Sequence, residues 1–130
     1  MPNPINLRLH EEPVTVVIEI GGRVRDVYVS PGSGVRTGDV LVQLDTSELL
    51  LKKQIIESKI HSTELLHTSA RFELPHLYRE LRQLQMQMDR LTITSPTDGK
   101  IVGLYSMYVG KTLEAGNAIA VIFRRRDALE

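Results

Sequence analysis

The 130-residue sequence has no cysteine and no tryptophan, and its 16 Lys and Arg cancel its 16 Asp and Glu. Without cysteine there are no disulfide frameworks, thiolate zinc sites or cysteine nucleophiles. With 5% aromatic residues and no Trp, a platform for stacking bases or sugars is disfavoured. A zero formal charge supplies no broad basic face for nucleic acid or for a membrane surface. Long apolar runs are also lacking. The longest clean one, Ala118 to Phe123, is far too short to span a bilayer. The first residues, Met1 to Pro13, have no basic stretch followed by an apolar run, so they do not read as a signal peptide. The chain is expected to be soluble. Leu129-Glu130 reads as a cloning remnant, which leaves two expectations open, a fragment of a longer parent or a complete protein.

What is present is one phrase written twice. Aligning Gly22 with Gly99 sets Arg23 on Lys100, Val24 on Ile101 and Val27 on Leu104. Gly32 then answers Gly110, Val35 answers Leu113, and Gly38-Asp39 answers Gly116-Asn117. Val40-Leu41-Val42 answers Ala118-Ile119-Ala120, and Leu44 answers Ile122. The second copy carries one extra residue, within Tyr105 to Val109. Gly22, Gly32, Gly38, Gly99, Gly110 and Gly116 are read as structural turn positions. Ser30-Pro31-Gly32-Ser33 fits a type II turn, with Pro at the second place and Gly at the third. Gly38-Asp39 and Gly116-Asn117 read as two-residue hairpin loops. The short apolar runs that follow read as buried strands. Two such halves, each with one apolar face, predict a small β-sandwich.

Thr46 to Arg90 lies between the halves. Thr46 or Ser47 can cap a helix, with Glu48 in its first turn. Leu49-Leu50-Leu51, Ile55-Ile56, Ile60 and Leu65-Leu66 recur at roughly helical spacing. Leu74, Leu77, Leu81, Leu84, Met88 and Leu91 step by 3, 4, 3, 4 and 3, the spacing of a coiled-coil seam. Pro75 suits a first helical turn. These patterns predict helices over 47–69 and 74–91, joined by a turn at Ala70 to Glu73. The pair would form an antiparallel hairpin with arms of about 25–35 Å. Such a hairpin buries one stripe per helix and is marginal alone. It either props on its own β-domain or packs beside other helices.

The two half-repeats, "GRVRDVYVSPGSGVRTGDVLVQLD" and "ITSPTDGKIVGLYSMYVGKTLEAGNAIAVI", resemble the biotinyl/lipoyl-domain family. The helical insertion between them narrows the resemblance to the membrane fusion proteins, or periplasmic adaptors, of bacterial export systems. The phrase "LTITSPTDGKIVGL" is similar to that family's second half-motif, and the Gly99-to-Gly110 gap is more like its HlyD-type secretion branch. The resemblance implies a lipoyl-like flattened β-sandwich over 14–45 and 92–123 and an α-helical hairpin over 46–91. It leaves 1–13 and 124–130 as tails or truncated connections. It further implies a periplasmic protein, anchored to the inner membrane in the full-length parent. That protein would link an inner-membrane transporter to an outer-membrane channel in type I secretion or efflux, and would self-associate through hairpin and β-domain. Membrane contact would come only through segments outside this chain. The Arg, Leu and Ser pattern of some efflux hairpin tips has no counterpart here, since Pro75 and Gln83 stand four residues after Arg71 and Arg79.

Neither an enzyme nor a cofactor is expected. A carrier domain needs a lysine on a tight turn between the halves, whereas Gln43-Leu44-Asp45-Thr46 runs into a helix and Lys52 and Lys53 fall inside it. Covalent biotin or lipoate is therefore not expected. The alternatives are a carrier-type domain that has lost its lysine and a free-standing scaffold dimerising through its hairpin. His61 and His67 fall on different helix faces, which argues against a metal pair. Ser69 with His67 lacks an orienting carboxylate for a triad. Asp98 has a local turn role, and Arg124-Arg125-Arg126 reads as a solvated tail. The candidate partner-binding residues are those of the hairpin tip: His67, Thr68, Ser69, Ala70, Arg71, Phe72 and Glu73. Phe72 either marks an interface or folds back onto Leu74 or Leu77.

Overall fold

A computed structural model describes residues 11–66, 69–105 and 107–125. Eight strands flank two helices: β1 (Glu11–Val17), β2 (Gly22–Val27), β3 (Gly34–Val35), β4 (Val40–Leu44), α1 (Ser47–Glu64), α2 (Leu74–Arg90), β5 (Thr92–Thr94), β6 (Gly99–Leu104), β7 (Thr112–Leu113) and β8 (Ala118–Arg125). A 3-10 helix, Ser69–Glu73, precedes α2. The chain divides into two compact units, a β unit and a helical unit spanning Asp45–Leu91.

In the β unit the strands form two antiparallel four-stranded sheets, β1-β8-β6-β3 and β5-β4-β2-β7. The halves do not each form a sheet of their own. The short strand β3 of the first half pairs with β6 of the second, and β7 of the second pairs with β2 of the first. The repeat is written into the register. Gly34 and Val35 face Lys100 and Gly99, and their counterparts Thr112 and Leu113 face Arg23 and Gly22. Val24 N–H donates to Lys111 O and Gly110 N–H to Val24 O; Ile101 N–H donates to Ser33 O and Gly32 N–H to Ile101 O. Tyr28 N–H to Leu41 O is answered by Tyr105 N–H to Ile119 O. The equivalence extends upstream of the repeat visible in sequence. Ile18 bonds Asn117 and Gly116 as Ser95 bonds Asp39 and Gly38, so β1 and β5 are counterparts.

The core follows the same rule. Val16/Ile93, Ile18/Ser95, Val24/Ile101, Val35/Leu113, Leu41/Ile119, Val42/Ala120 and Leu44/Ile122 are equivalent pairs, and every member is buried. Ser95 is the polar exception, and its hydroxyl donates to Thr97 O at 2.6 Å. A polar group so enclosed needs such a partner.

The glycines divide into two classes. Gly32, Gly38, Gly110 and Gly116 have φ between 91° and 96°. Each is the third residue of a turn closed by a bond from the fourth N–H to the first C=O: Ser33 to Ser30, Asp39 to Arg36, Lys111 to Tyr108 and Asn117 to Glu114. This is the type II pattern, in which only glycine takes the third place without strain. The expectation of two-residue hairpins at Gly38-Asp39 and Gly116-Asn117 is therefore corrected. The strands on either side belong to different sheets, and the turn carries the chain between sheets. Gly22 and Gly99, expected at turns, instead open β2 and β6. At Gly99 a Cβ would run into the Phe123 carbonyl oxygen and lie 2.7 Å from Ile122 Cγ2. That glycine serves close approach of strands, not a turn.

Candidate functional site

The helical unit stands where β4 leaves the first half and β5 begins the second. Its start is set by Asp45, not by the side chain of Thr46 or Ser47 as the sequence suggested. Thr46 occupies the cap position without a capping side-chain bond. The Asp45 carboxylate accepts from the Ser47 N–H at 2.9 Å and from the Ser47 hydroxyl. A carboxylate there also faces the positive end of the helix dipole. Pro75 sits in the first turn of α2, where its missing N–H costs nothing. α1 ends at Glu64, five residues short of the expected 69, and the 3-10 helix takes up part of the connection.

The two helices pack on each other antiparallel, with Lys53 Nζ donating to Gln85 Oε1 at 3.1 Å. On α2 the residues turned from solvent are the expected seam, Leu74, Leu77, Leu81, Leu84, Met88 and Leu91, joined by Glu80. On α1 they are Leu49, Lys53, Ile56, Ile60 and Thr63, stepping by 4, 3, 4 and 3. A lysine and a threonine thus occupy seam positions that apolar counting misses. Gln85 Nε2 passes the Lys53 bond on to Asp89 Oδ1 at 2.9 Å, giving a polar layer across the pair.

Several large apolar side chains of this unit lie off the seam and face solvent. Leu51 is 61% exposed, Ile55 52% and Leu65 66%. Leu51 and Ile55 line an open groove of 510 Å³ with Ser58, Ser62, Lys59 and Glu73 among its other walls. Sequence periodicity had placed these leucines and isoleucines together on one stripe. Only the burial pattern separates the inward set from the outward one.

Of the expected tip, His67 and Thr68 lie outside the described residues. Ser69 and Ala70 fall in the 3-10 helix, and Arg71, Phe72 and Glu73 complete it. Phe72 is 84% exposed, so its ring does not fold back onto Leu74 or Leu77. His76 accompanies it one turn on, with Nε2 2.8 Å from Glu80 Oε1.

The remaining candidates have local partners. Lys52 lies 3.9 Å from Glu48 in α1. Asp98, expected to bond its own turn, instead reaches the other half: Oδ1 accepts from Thr37 N–H at 2.7 Å and from the Thr37 hydroxyl at 3.0 Å. Those two bonds, the backbone one foremost, hold the Asp98 carboxyl below the usual carboxylate range. Arg124, expected in a tail, is part of β8 and lies 3.6 Å from Glu12 across the β1–β8 ladder. Among the described residues no group of three or more His, Asp or Glu could hold a metal ion. No helix among them is long and apolar enough to cross a membrane.

No curated protein sequence matches the chain. Solved structures do match in fold. A MacA–MexA chimeric protein containing the Pseudomonas aeruginosa MexA α-hairpin domain aligns with TM-score 0.74 and 19% identity, over 87% of this chain and 48% of its own. The periplasmic adaptor protein EmrA aligns with TM-score 0.71 and 11% identity, over 85% and 71%. The membrane fusion protein Spr0693 from Streptococcus pneumoniae R6 aligns with TM-score 0.62 and 17% identity, over 88% and 63%. At these identities the likeness is one of fold, and the chain spans less than two thirds of the chimera and of Spr0693. Two interlocked β halves separated by a helical pair are also what a family model matches, across residues 12–124, and the chain belongs to that family: the CzcB-like, barrel-sandwich hybrid domain.

Proposed function

We propose that this chain is the lipoyl-like β-domain and coiled-coil α-hairpin segment of a periplasmic adaptor, a membrane fusion protein of a bacterial export system. In that role it helps link an inner-membrane transporter to an outer-membrane channel in type I secretion or efflux, and it self-associates. Its work is contact, not catalysis. The observation that carries the reading is the form of the insertion. A helical pair interrupts the barrel-sandwich at the connection between its halves and presents Phe72, 84% exposed, at its far turn. An aromatic ring held in water is poorly placed for stability and well placed for an interface. The fold match to EmrA and Spr0693 supports the same reading.

The test is export by a full-length parent carrying Arg71→Ala with Phe72→Ala. Export is expected to fall while thermal unfolding of the isolated chain stays the same. Unchanged export would remove the tip from the proposal. Intact mass of cell-expressed protein bears on the carrier alternative. An unmodified mass is expected, and a biotin or lipoyl adduct would overturn the contact-only role.

A further inference from the structure

One heptad frame runs through both helices. The inward positions of α1, Leu49, Lys53, Ile56, Ile60 and Thr63, step by 4, 3, 4 and 3. Those of α2, from Leu74 through Leu77, Leu81, Leu84 and Met88 to Leu91, step by 3, 4, 3, 4 and 3. From Thr63 to Leu74 is eleven residues, which is 4, 3 and 4. The rhythm therefore crosses the reversal of the chain without losing step. A hairpin does not need this, because a reversal frees the second arm to start in any frame. A single helix does need it, because only an unbroken frame keeps one seam along its length.

The reversal also lacks the usual stops. No glycine occurs between Gly38 and Gly99. α1 ends at Leu65 in the right-handed region, with φ −76° and ψ −14°, where a left-handed glycine is the usual stop. α2 starts from Glu73, also right-handed, without a side-chain capping bond. Pro75 is the single proline between Pro31 and Pro96. In a continuous α-helix it would leave the Arg71 carbonyl without a donor, and its ring would strike that carbonyl. Instead Ser69–Glu73 runs as a 3-10 helix. At about 20° more per residue than an α-helix, five such residues turn the following seam by about 100°. The proline thus throws the two arms out of line if the chain runs straight.

We propose that the chain has a second form, an exchanged dimer, and that Pro75 holds it off. In that form α1 and α2 run on as one helix, two copies pair antiparallel along the one seam, and β1–β4 of each copy close with β5–β8 of the other. Every strand pairing between the halves, β1–β8, β2–β7, β3–β6 and β4–β5, is made again between copies. So are the contacts of α1 with α2, Lys53 to Gln85 included. Closure within one chain is favoured by an effective concentration on the order of millimolar. Two prolines inside the through-running helices lower the dimerisation constant further, by on the order of 10⁴-fold. The inference stands apart from the adaptor reading.

The chain has no cysteine, so an engineered pair reads its connectivity cleanly. Thr15 and Val121 oppose each other across β1 and β8, one from each half, and opposed residues of antiparallel strands suit a disulfide. With Thr15→Cys and Val121→Cys, a closed chain locks as a monomer on a denaturing gel, even where closed chains dock. An exchanged pair locks as a covalent dimer. The 130-residue chain is refolded from denaturant over a range of protein concentrations. With Pro75 in place the product is expected to be monomeric. Pro75→Ala is expected to raise the covalent-dimer share at least tenfold, more so at higher concentration, with helix content by circular dichroism undiminished. Pro75→Gln is expected to act alike. Two alanines inserted after Ala70 in the Pro75→Ala chain break the frame and are expected to abolish the dimer. The proposal is overturned by a Pro75→Ala product as monomeric as the parent, by a parent as dimeric as Pro75→Ala, or by a dimer indifferent to the insertion. None of these outcomes touches the adaptor reading, which is tested by export.

Discussion

Single residues hold the two halves in place, and two of them give sharp expectations. Asp98 joins its turn to Thr37 of the other half. Its folded pKa lies below its unfolded one, so the stabilisation is complete above the unfolded value of ~3.9 and is lost as pH falls through the folded value. Asp98→Ala should therefore lower the thermal midpoint at neutral pH, and the gap to the wild type should close under acid. A gap that persists undiminished at low pH would mean the carboxylate charge is irrelevant. Gly99 and Gly34 form a contrasting pair. A Cβ at Gly99 meets Phe123 backbone and Ile122, so Gly99→Ala should cost about 1–3 kcal/mol in chemical denaturation. At Gly34 a Cβ meets nothing within 4 Å, and Gly34→Ala should stay within ~0.5 kcal/mol of wild type. At the residue scale the sequence was only partly legible. The turn role of Gly32 could be read from Pro31 beside it. The close-approach role of Gly99 could not, because the atoms it would strike belong to a strand more than 20 residues away.

Elements are where pattern and packing part company. α2 was legible because its apolar residues form one uninterrupted seam. α1 was harder to read because it has more large apolar residues than one seam can use, and two of the seam positions are polar. Lys53 is the informative case. Half-buried at a seam position, it bonds the exposed Gln85 across the pair where a leucine would bury more apolar surface. Lys53→Leu should raise the melting temperature of the helical unit while relaxing its register, measured by circular dichroism and by cross-linking of engineered pairs at matched and shifted positions. Unchanged or lower melting would show that the lysine is the better seam residue. Asp45→Ala removes the bonds that start α1 and should cost about 1 kcal/mol. β1 and β5 escaped the repeat in the sequence for a simple reason. Val16 and Ile93, and Ile18 and Ser95, are equivalent in burial and bonding but share no motif residue such as glycine to mark them.

Across the whole molecule, the β unit has its own two sheets and its own core of seven equivalent pairs. Replacing Asp45–Leu91 by a short turn joining Leu44 to Thr92 should leave a domain that unfolds cooperatively. Loss of cooperativity would assign the β fold a dependence on the helices. The exchange of β3 and β7 has a consequence for how such a domain could arise. One half alone has a two-stranded sheet, β2-β4, that lacks both its outer strands, and two strands, β1 and β3, that lack a sheet. Two identical halves would supply each other with what each is missing, so the present single chain has the layout of a swapped dimer of half-length chains fused end to end. The join between the two former chains lies outside every strand pairing, so length can be added there without breaking one, and it is there that the helices stand.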